Sequence, residues 1–346
     1  MPMITGSAIT LDSAADKPLN DTISWQEELA ASIRDPQELI HLLELDESLL
    51  ENALNAHRDF ALRVPRPYLE RIRKGDMNDP LLRQVLPLGD ELSAAPGYST
   101  DPLQENTANP TPGLIHKYHG RVLLIVSPSC AINCRYCFRR HFPYHDNKPG
   151  RHEWQRALDY IASNNTVSEV IYSGGDPLAS SDKQLLWLTR RIADIPHVKR
   201  LRVHTRLPIV IPARITEQCI NWLSDTRLQT TMVIHSNHPN ELDEAVEKAL
   251  KNLRRVGVTL LNQAVLLKGI NDDGATLVRL SERLFEVGVL PYYLHLLDKV
   301  SGAAHFEVDE NHAVSLRDVM LAQLPGYLVP KLVREIPGQP HKTTVV

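Results

Sequence analysis

The chain has 346 residues, a formal net charge of −4, and 42% hydrophobic against 23% charged residues, the balance of a soluble metabolic-type enzyme. No basic excess offers a surface to a nucleic acid or an anionic membrane, and no stretch approaches the ~18 uninterrupted apolar residues of a membrane span. The N-terminus, Met1-Pro-Met-Ile-Thr-Gly, lacks a basic region followed by an apolar run, so a cytoplasmic location is expected, with no membrane or nucleic-acid partner.

Residues 1–22 mix Gly, Ser, Asp and Pro and are expected to form a flexible tail. Residues 23–93 read as a helical N-terminal region. Trp25, Leu29 and Ile33, then Leu39, Leu42 and Leu43, recur at helix spacing, and Asp35-Pro36 supplies a cap and a first-turn proline. Shorter helices are predicted over 49–57, 67–74 and 80–85. No titratable groups cluster in this region, so packing and contact within a homo-oligomer are its expected roles. Residues 94–116, with Gly97, Pro102, Asn109, Pro110 and Pro112, read as a linker.

From Lys117 to the C-terminus strands and helices alternate. Apolar, β-branched strands are predicted over 122–127, 169–173, 201–204, 231–235, 258–267 and 292–296. Helices are predicted over 153–162, 183–195, 215–223, 241–255, 275–287 and 310–321. Such alternation gives a parallel sheet covered by helices, and six units are too few to close an eight-stranded barrel. The expected fold is α/β: a partial, open parallel β/α barrel of about six strands over 117–346, preceded by the helical region. Polar residues gather at the strand ends. The first strand runs into Cys130, the second into Ser173-Gly174-Gly175-Asp176, the fourth into His235 and the sixth into Asp298, and such C-terminal ends converge on one face of a parallel barrel.

Three of the four cysteines, Cys130, Cys134 and Cys137, share the loop after the first strand, whereas Cys219 falls in a predicted helix. Three thiolates can ligate three irons of a cubane cluster and leave the fourth open for chemistry. A zinc knuckle completed by His141 or His145 is the alternative, although zinc ligands usually come as two separated pairs. A disulfide would leave one thiol odd.

The spacing Cys-x3-Cys-x2-Cys, with an aromatic residue before the last cysteine, resembles the radical S-adenosylmethionine family. There a [4Fe–4S] cluster passes one electron to the sulfonium of S-adenosylmethionine, releasing a deoxyadenosyl radical that takes hydrogen from substrate. Beside that loop, Ser173-Gly174-Gly175-Asp176-Pro177 resembles the family's segment for the cofactor's amino group, with bare backbone for close approach. His235 and Gln263 are expected cofactor contacts from their strand positions.

The likeness then narrows. Cys134-Arg-Tyr-Cys-Phe-Arg-Arg140, the Ser-Gly-Gly-Asp-Pro segment, Asn262-Gln263-Ala-Val-Leu-Leu267, Pro291-Tyr292-Tyr293 and Glu335-Ile-Pro-Gly-Gln-Pro-His-Lys342 resemble, in order, the lysine 2,3-aminomutases from about Phe60 onward. That resemblance implies pyridoxal 5'-phosphate as a third cofactor and Lys342 as its Schiff-base lysine, with Lys117, Tyr118 and Arg121 around the phosphate. It also implies Arg139 on the α-carboxylate of the substrate L-lysine, and Asp298 and Glu335 on its distal ammonium. The chemistry agrees, since a substrate with a carboxylate at one end and an ammonium at the other calls for a guanidinium fork and opposed acids.

Departures from the family pattern are Glu335 for the commoner aspartate, Lys117 for an arginine, and a chain that stops four residues after Lys342 without a cysteine-bearing extension. They resemble the branch that makes (R)-β-lysine for the modification of elongation factor P, which implies a functional link to a separate elongation factor P ligase. An aminomutase serving lysine catabolism or β-lysine accumulation, or a radical enzyme without pyridoxal phosphate in which Lys342 is a solvated terminal lysine, stands as the alternative.

Overall fold

The computed structural model describes residues 23–144, 147 and 150–346; the tail expected over 1–22 lies outside them. Four short helices lead the chain: α1 (Trp25–Ala30), α2 (Pro36–Leu42), α3 (Leu50–Asp59) and α4 (Arg66–Leu69). Ser24 caps α1 in a reciprocal box with Glu27, and Asp35 caps α2 ahead of Pro36, each meeting backbone N–H groups that have no partner within the helix. The helices predicted over 67–74 and 80–85 are single turns, Arg66–Leu69 and Leu82–Gln84.

The remaining strands and helices are β1 (Leu114–Tyr118), β2 (Arg121–Ser127), α5 (Arg151–Ser163), β3 (Glu169–Gly174), α6 (Asp182–Ala193), β4 (Arg200–Thr205), α7 (Leu207–Val210), α8 (Glu217–Ser224), β5 (Gln229–Ile234), α9 (Glu244–Arg255), β6 (Thr259–Val265), α10 (Gly274–Glu286), β7 (Leu290–His295), α11 (Glu310–Gln323), β8 (Lys331–Arg334) and β9 (Thr343–Thr344). Ser181, Thr216, Asp243, Asp273 and Asp309 cap α6, α8, α9, α10 and α11, so these five helices have their starts written locally, whereas α5 begins at Gly150 without a side-chain cap.

Among the described residues all nine strands form one sheet in chain order. Neighbours from β2 to β8 run parallel, whereas β1 and β9 pair antiparallel at the two edges. The two edges do not pair with each other, so the barrel stays open, as expected. The six predicted strands correspond to β2 through β7. The structure adds β8 as a seventh parallel strand, with β1 and β9 flanking. Lys331-Leu-Val-Arg334 and Thr343-Thr344 are too short to show a period, and β1 hides behind His116 and Lys117 in a segment read largely as linker.

The two faces of the sheet differ in chemistry. Val170, Tyr172, Leu201, Val203 and Leu294 are at most 2% exposed beneath the covering helices. Their alternates, Glu169, Ile171 and Ser173 on β3, Arg202 and His204 on β4, and Tyr293 and His295 on β7, line a cavity inside the curve. A period of two thus separates a dry outer core from a polar interior.

Candidate active site

The cavity holds about 790 Å³ and is bounded by the sheet, the cysteine loop and the C-terminal segment. It brings together every sequence-predicted site residue: the three cysteines, the Ser173–Asp176 turn, His235, Gln263, Lys117, Tyr118, Arg121, Arg139, Asp298, Glu335 and Lys342. Cys219 is fully buried in α8 and takes no part. A second, more open groove of about 1040 Å³ shares Asp298 and Glu335, which makes those acids the wall between cavity and exterior.

The N-terminal region clamps the cysteine loop, a role that the expectation of packing and oligomer contact did not include. Arg63 donates to the Cys130 carbonyl at 2.7 Å, while Asn133 N–H donates to the Arg63 carbonyl at 3.0 Å. Glu91 takes two bonds from Arg135 at 2.8 and 2.6 Å and one from Arg140 at 2.8 Å, all three side chains being at most 1% exposed. One carboxylate thereby fixes both ends of the segment that carries Cys137.

On the other side of the loop the Ser-Gly-Gly-Asp turn is laced to it. Gly175 and Asp176 N–H groups donate to the Ser127 and Ser129 carbonyls, both at 2.8 Å. Gly174 has φ +119°, and a Cβ on it would stand 2.4 Å from the Ser127 carbonyl oxygen; one on Gly175 would stand 2.6 Å from that of Ser129. The bare backbone expected to admit a cofactor is therefore already required by close chain–chain approach. Asp176 is likewise committed internally. Its carboxylate accepts from Thr205 Oγ1 and Arg206 N–H, both at 2.7 Å, and from Leu178 and Leu207 N–H at 3.0 and 3.1 Å, tying β3 to the end of β4. Burial raises its pKa against those bonds.

A chain of alternating charges crosses the cavity. Arg139 grips Glu105 through Nε and Nη2 at 2.7 and 2.8 Å and donates from Nη1 to Ser173 Oγ at 3.0 Å. Lys117 bridges Glu105 and Glu335 at 3.4 and 3.0 Å, and Lys342 meets Glu335 at 2.5 Å. Burial and the Glu335 charge push Asp298 up to about 7. Glu335 is also penalised by burial, yet Lys342 and Lys117 hold it down at about 2. The acid pair therefore carries one fixed charge and one that titrates near neutrality. Arg121 stacks on the Tyr118 ring at 4.6 Å on the hairpin of β1 and β2, close beside Lys117.

The geometry invites comparison with known proteins. A model of the radical SAM superfamily matches residues 124–280. Over 320 residues the chain is 54% identical to an L-lysine 2,3-aminomutase of Escherichia coli (strain K12), covering 92% of this chain and 93% of that protein. A Haemophilus influenzae L-lysine 2,3-aminomutase is 51% identical, with 92% and 95% covered. One from Clostridium subterminale is 34% identical over 96% of this chain and 79% of its own length. The chain belongs to the L-lysine 2,3-aminomutase family. It is thus an isomerase of the radical SAM superfamily, whose cofactors are a [4Fe–4S] cluster, S-adenosylmethionine and pyridoxal phosphate.

The residues present fit an aminomutase's cofactors. Burial and the neighbouring thiols raise Cys130, and burial and Cys134 push Cys137 up to about 11, so these two thiols need positive charge of the kind irons supply to ionise. Among the described residues no three His, Cys, Asp or Glu side chains converge as a single-ion site. His141 turns instead to the Ser301 carbonyl at 3.2 Å, and His145 lies outside the described residues. For pyridoxal phosphate, Lys342 brings an amine into the cavity near Lys117 and Arg121. Two buried imidazole nitrogens in the same wall, Nε2 of His204 and of His295, have no protein partner. Burial depresses both histidines, and it takes His235, which pairs with Gln263 at 2.8 Å, down to about 3, so all three are neutral donors or acceptors.

Sequence reasoning missed Glu105, Glu91, Arg206, His204 and His295. Arg206 and His204 stand at the C-terminal end of β4, where the strand-end rule that found His235 would also have pointed. Glu91 and Glu105 lie in single 3-10 turns of the segments read as helical region and linker, and no motif marks them.

Proposed function

We propose that this enzyme exchanges the amino group of L-lysine between C2 and C3 to give β-lysine. The observation that carries the proposal is that the cavity matches both poles of a lysine with partners among its own groups. A carboxylate, Glu105, sits on the Arg139 fork, and an ammonium, Lys342, sits on the acid wall. A ligand bearing one carboxylate and one distal ammonium can take over both contacts.

In this reading Cys130, Cys134 and Cys137 ligate the cluster, while Ser173, Gly174, Gly175, Asp176, His235 and Gln263 form the S-adenosylmethionine wall. Lys117, Tyr118, Arg121 and Lys342 form the pyridoxal phosphate site. When bound, the cluster with S-adenosylmethionine supplies a hydrogen-abstracting radical, and pyridoxal phosphate supplies the conjugated ring that carries the migrating nitrogen. Arg139 offers the carboxylate a planar fork. Five N–H groups less three used on Glu105 and Ser173 leave two. Glu335 and Asp298 receive the distal ammonium, and Lys342 must leave Glu335 and lose a proton before its nitrogen can act as a nucleophile. Neutral His204, His235 and His295 satisfy polar ligand atoms without adding charge beside the lysines.

The finer reading is that the product is (R)-β-lysine, destined for a cytoplasmic elongation factor P ligase. Its support is that two of the departures from the family pattern are one contact: Lys117 and Glu335 face each other at 3.0 Å, a longer acid meeting a slimmer cation. Anaerobic reconstitution with iron, sulfide, pyridoxal phosphate, S-adenosylmethionine, a reductant and L-lysine should yield β-lysine, of R configuration by chiral chromatography. S-Adenosylmethionine cleavage without β-lysine would overturn the proposal, and the S product would overturn the finer reading.

A further inference from the structure

Arg206 follows β4 and is 5% exposed, and its guanidinium is aimed at the cysteine loop. Nη1 lies 2.7 Å from Cys134 Sγ and 2.6 Å from Tyr136 Oη. Nη2 donates to Gln84 Oε1 at 2.7 Å and Glu241 Oε2 at 2.8 Å. The backbone beneath is pinned by the bond from Arg206 N–H to Asp176. Gln84, itself fully buried, bonds Glu241 at 3.2 Å and Asn237 at 3.0 Å, so the cation sits in a closed frame of polar groups from four parts of the chain. No step of the proposed reaction uses it.

We infer that Arg206 tunes the reduction potential of the cluster by donating to the sulfur of Cys134. The inference rests on the reading of the three cysteines as cluster ligands. Hydrogen bonds and positive charge at the sulfurs of an iron–sulfur cluster stabilise its reduced form, which carries one more electron, and so raise its potential. In a buried site the effect is large because little solvent screens it. Glu241 opposes it. That carboxylate neutralises the guanidinium on the side away from the cluster, so the structure predicts two substitutions with opposite consequences. The frame also explains why the helical N-terminal region reaches this far: Gln84 orients the fork toward Cys134.

The test is an EPR-monitored redox titration of the cluster-loaded protein without S-adenosylmethionine, after iron and sulfide analysis. Arg206→Gln should lower the midpoint, by at least a tenfold change in the reduction equilibrium, about 59 mV for one electron. Glu241→Gln should raise it, its remaining oxygen still accepting from the Asn237 and His238 N–H groups. Arg206→Lys, which keeps the charge but loses the fork, should fall between wild type and Arg206→Gln. A structural disturbance alone would not move two variants in opposite directions. Unmoved midpoints, or shifts of the same sign, overturn the inference. If no Arg206 variant holds a cluster, Glu241→Gln decides alone, and a lowered or unchanged midpoint there is fatal. A wild-type chain that takes up no cluster, or takes it up equally after replacement of the three cysteines, would instead sink the reading beneath.

Discussion

The cysteine wall and the lysine wall of the cavity are held together by different means. Around the cysteines, Arg135, Arg140 and Arg206 are committed to Glu91, Glu241 and backbone carbonyls, with side chains at most 6% exposed. Across the cavity, Lys117, Glu335 and Lys342 are 12–23% exposed and linked by single contacts, Lys117 from edge strand β1 and the other two from the segment between β8 and β9. The first arrangement preorganises a loop whose shape must not depend on its cargo. The second is a set of exchangeable pairs, in which an incoming ligand replaces one internal partner by another of the same charge. In the proposed reading a metal loop and a substrate pocket share one cavity, with rigidity on one side and electrostatic interchange on the other.

The sharpest way to break the comparison is at the cysteines. Replacing Cys130, Cys134 or Cys137 by alanine should abolish both the cluster, seen as loss of iron and of visible absorbance, and all turnover. Cys219→Ala should keep full iron content, since that thiol packs in α8 outside the cavity. Iron loss in that variant would place a ligand where the structure has none. The rigidity of the loop is probed at Glu91. Glu91→Ala strands two buried guanidinium groups, and breaking a buried pair in this way typically costs about 3–5 kcal/mol. Chemical denaturation should show a loss of that order, with weakened iron retention, whereas Glu335→Gln should leave stability far less affected.

The exchangeable wall is tested by selectivity. With both Asp298 and Glu335 changed to their amides, lysine loses its distal counter-charges, and kcat/KM should fall on the order of a hundredfold or more. Norleucine, of equal chain length without the ammonium, should be a poor substrate of the wild type and should lose far less. The ratio of the two kcat/KM values, at matched cluster and pyridoxal phosphate occupancy, is the measurement. An unchanged ratio would move the ammonium elsewhere.

How much of this was legible in sequence follows the same divide. The strand-helix alternation announced the sheet because most units write their own period and cap, as in α9 with Asp243 and a buried face of Val246, Ala249, Leu250 and Leu253. The cysteine trio and Lys342 were legible through motifs. The clamp was not, because Glu91, Gln84 and Arg63 act across separations of 44 to 157 residues, from turns that look like surface. Glu105 escaped for the same reason. Its neighbours Pro102, Asn109 and Pro110 read as a connector, and only the folded chain brings it onto Arg139. The Ser-Gly-Gly-Asp turn lines the cavity, but its glycines serve the approach of Ser127 and Ser129.

The smallest effect is a pH dependence at the lysine wall. Asp298 stands at about 7 and Glu335 at about 2, so between pH 8 and pH 6 only Asp298 gains a proton, and the wall passes from two negative charges toward one. The lysine ε-ammonium, with an ordinary pKa of about 10.4, stays charged throughout. Ionised Asp298 favours that ammonium and protonated Asp298 does not. kcat/KM for lysine should therefore rise with pH through about 7 and level off above it, approaching tenfold per unit on the acid side. Asp298→Asn should remove this limb while lowering the plateau, because the amide cannot titrate. Norleucine should not show the limb, which separates Asp298 from any cofactor-side group titrating in the same range. A limb of equal size for both substrates would assign the titration to another residue and leave Glu335 as the acid that selects lysine.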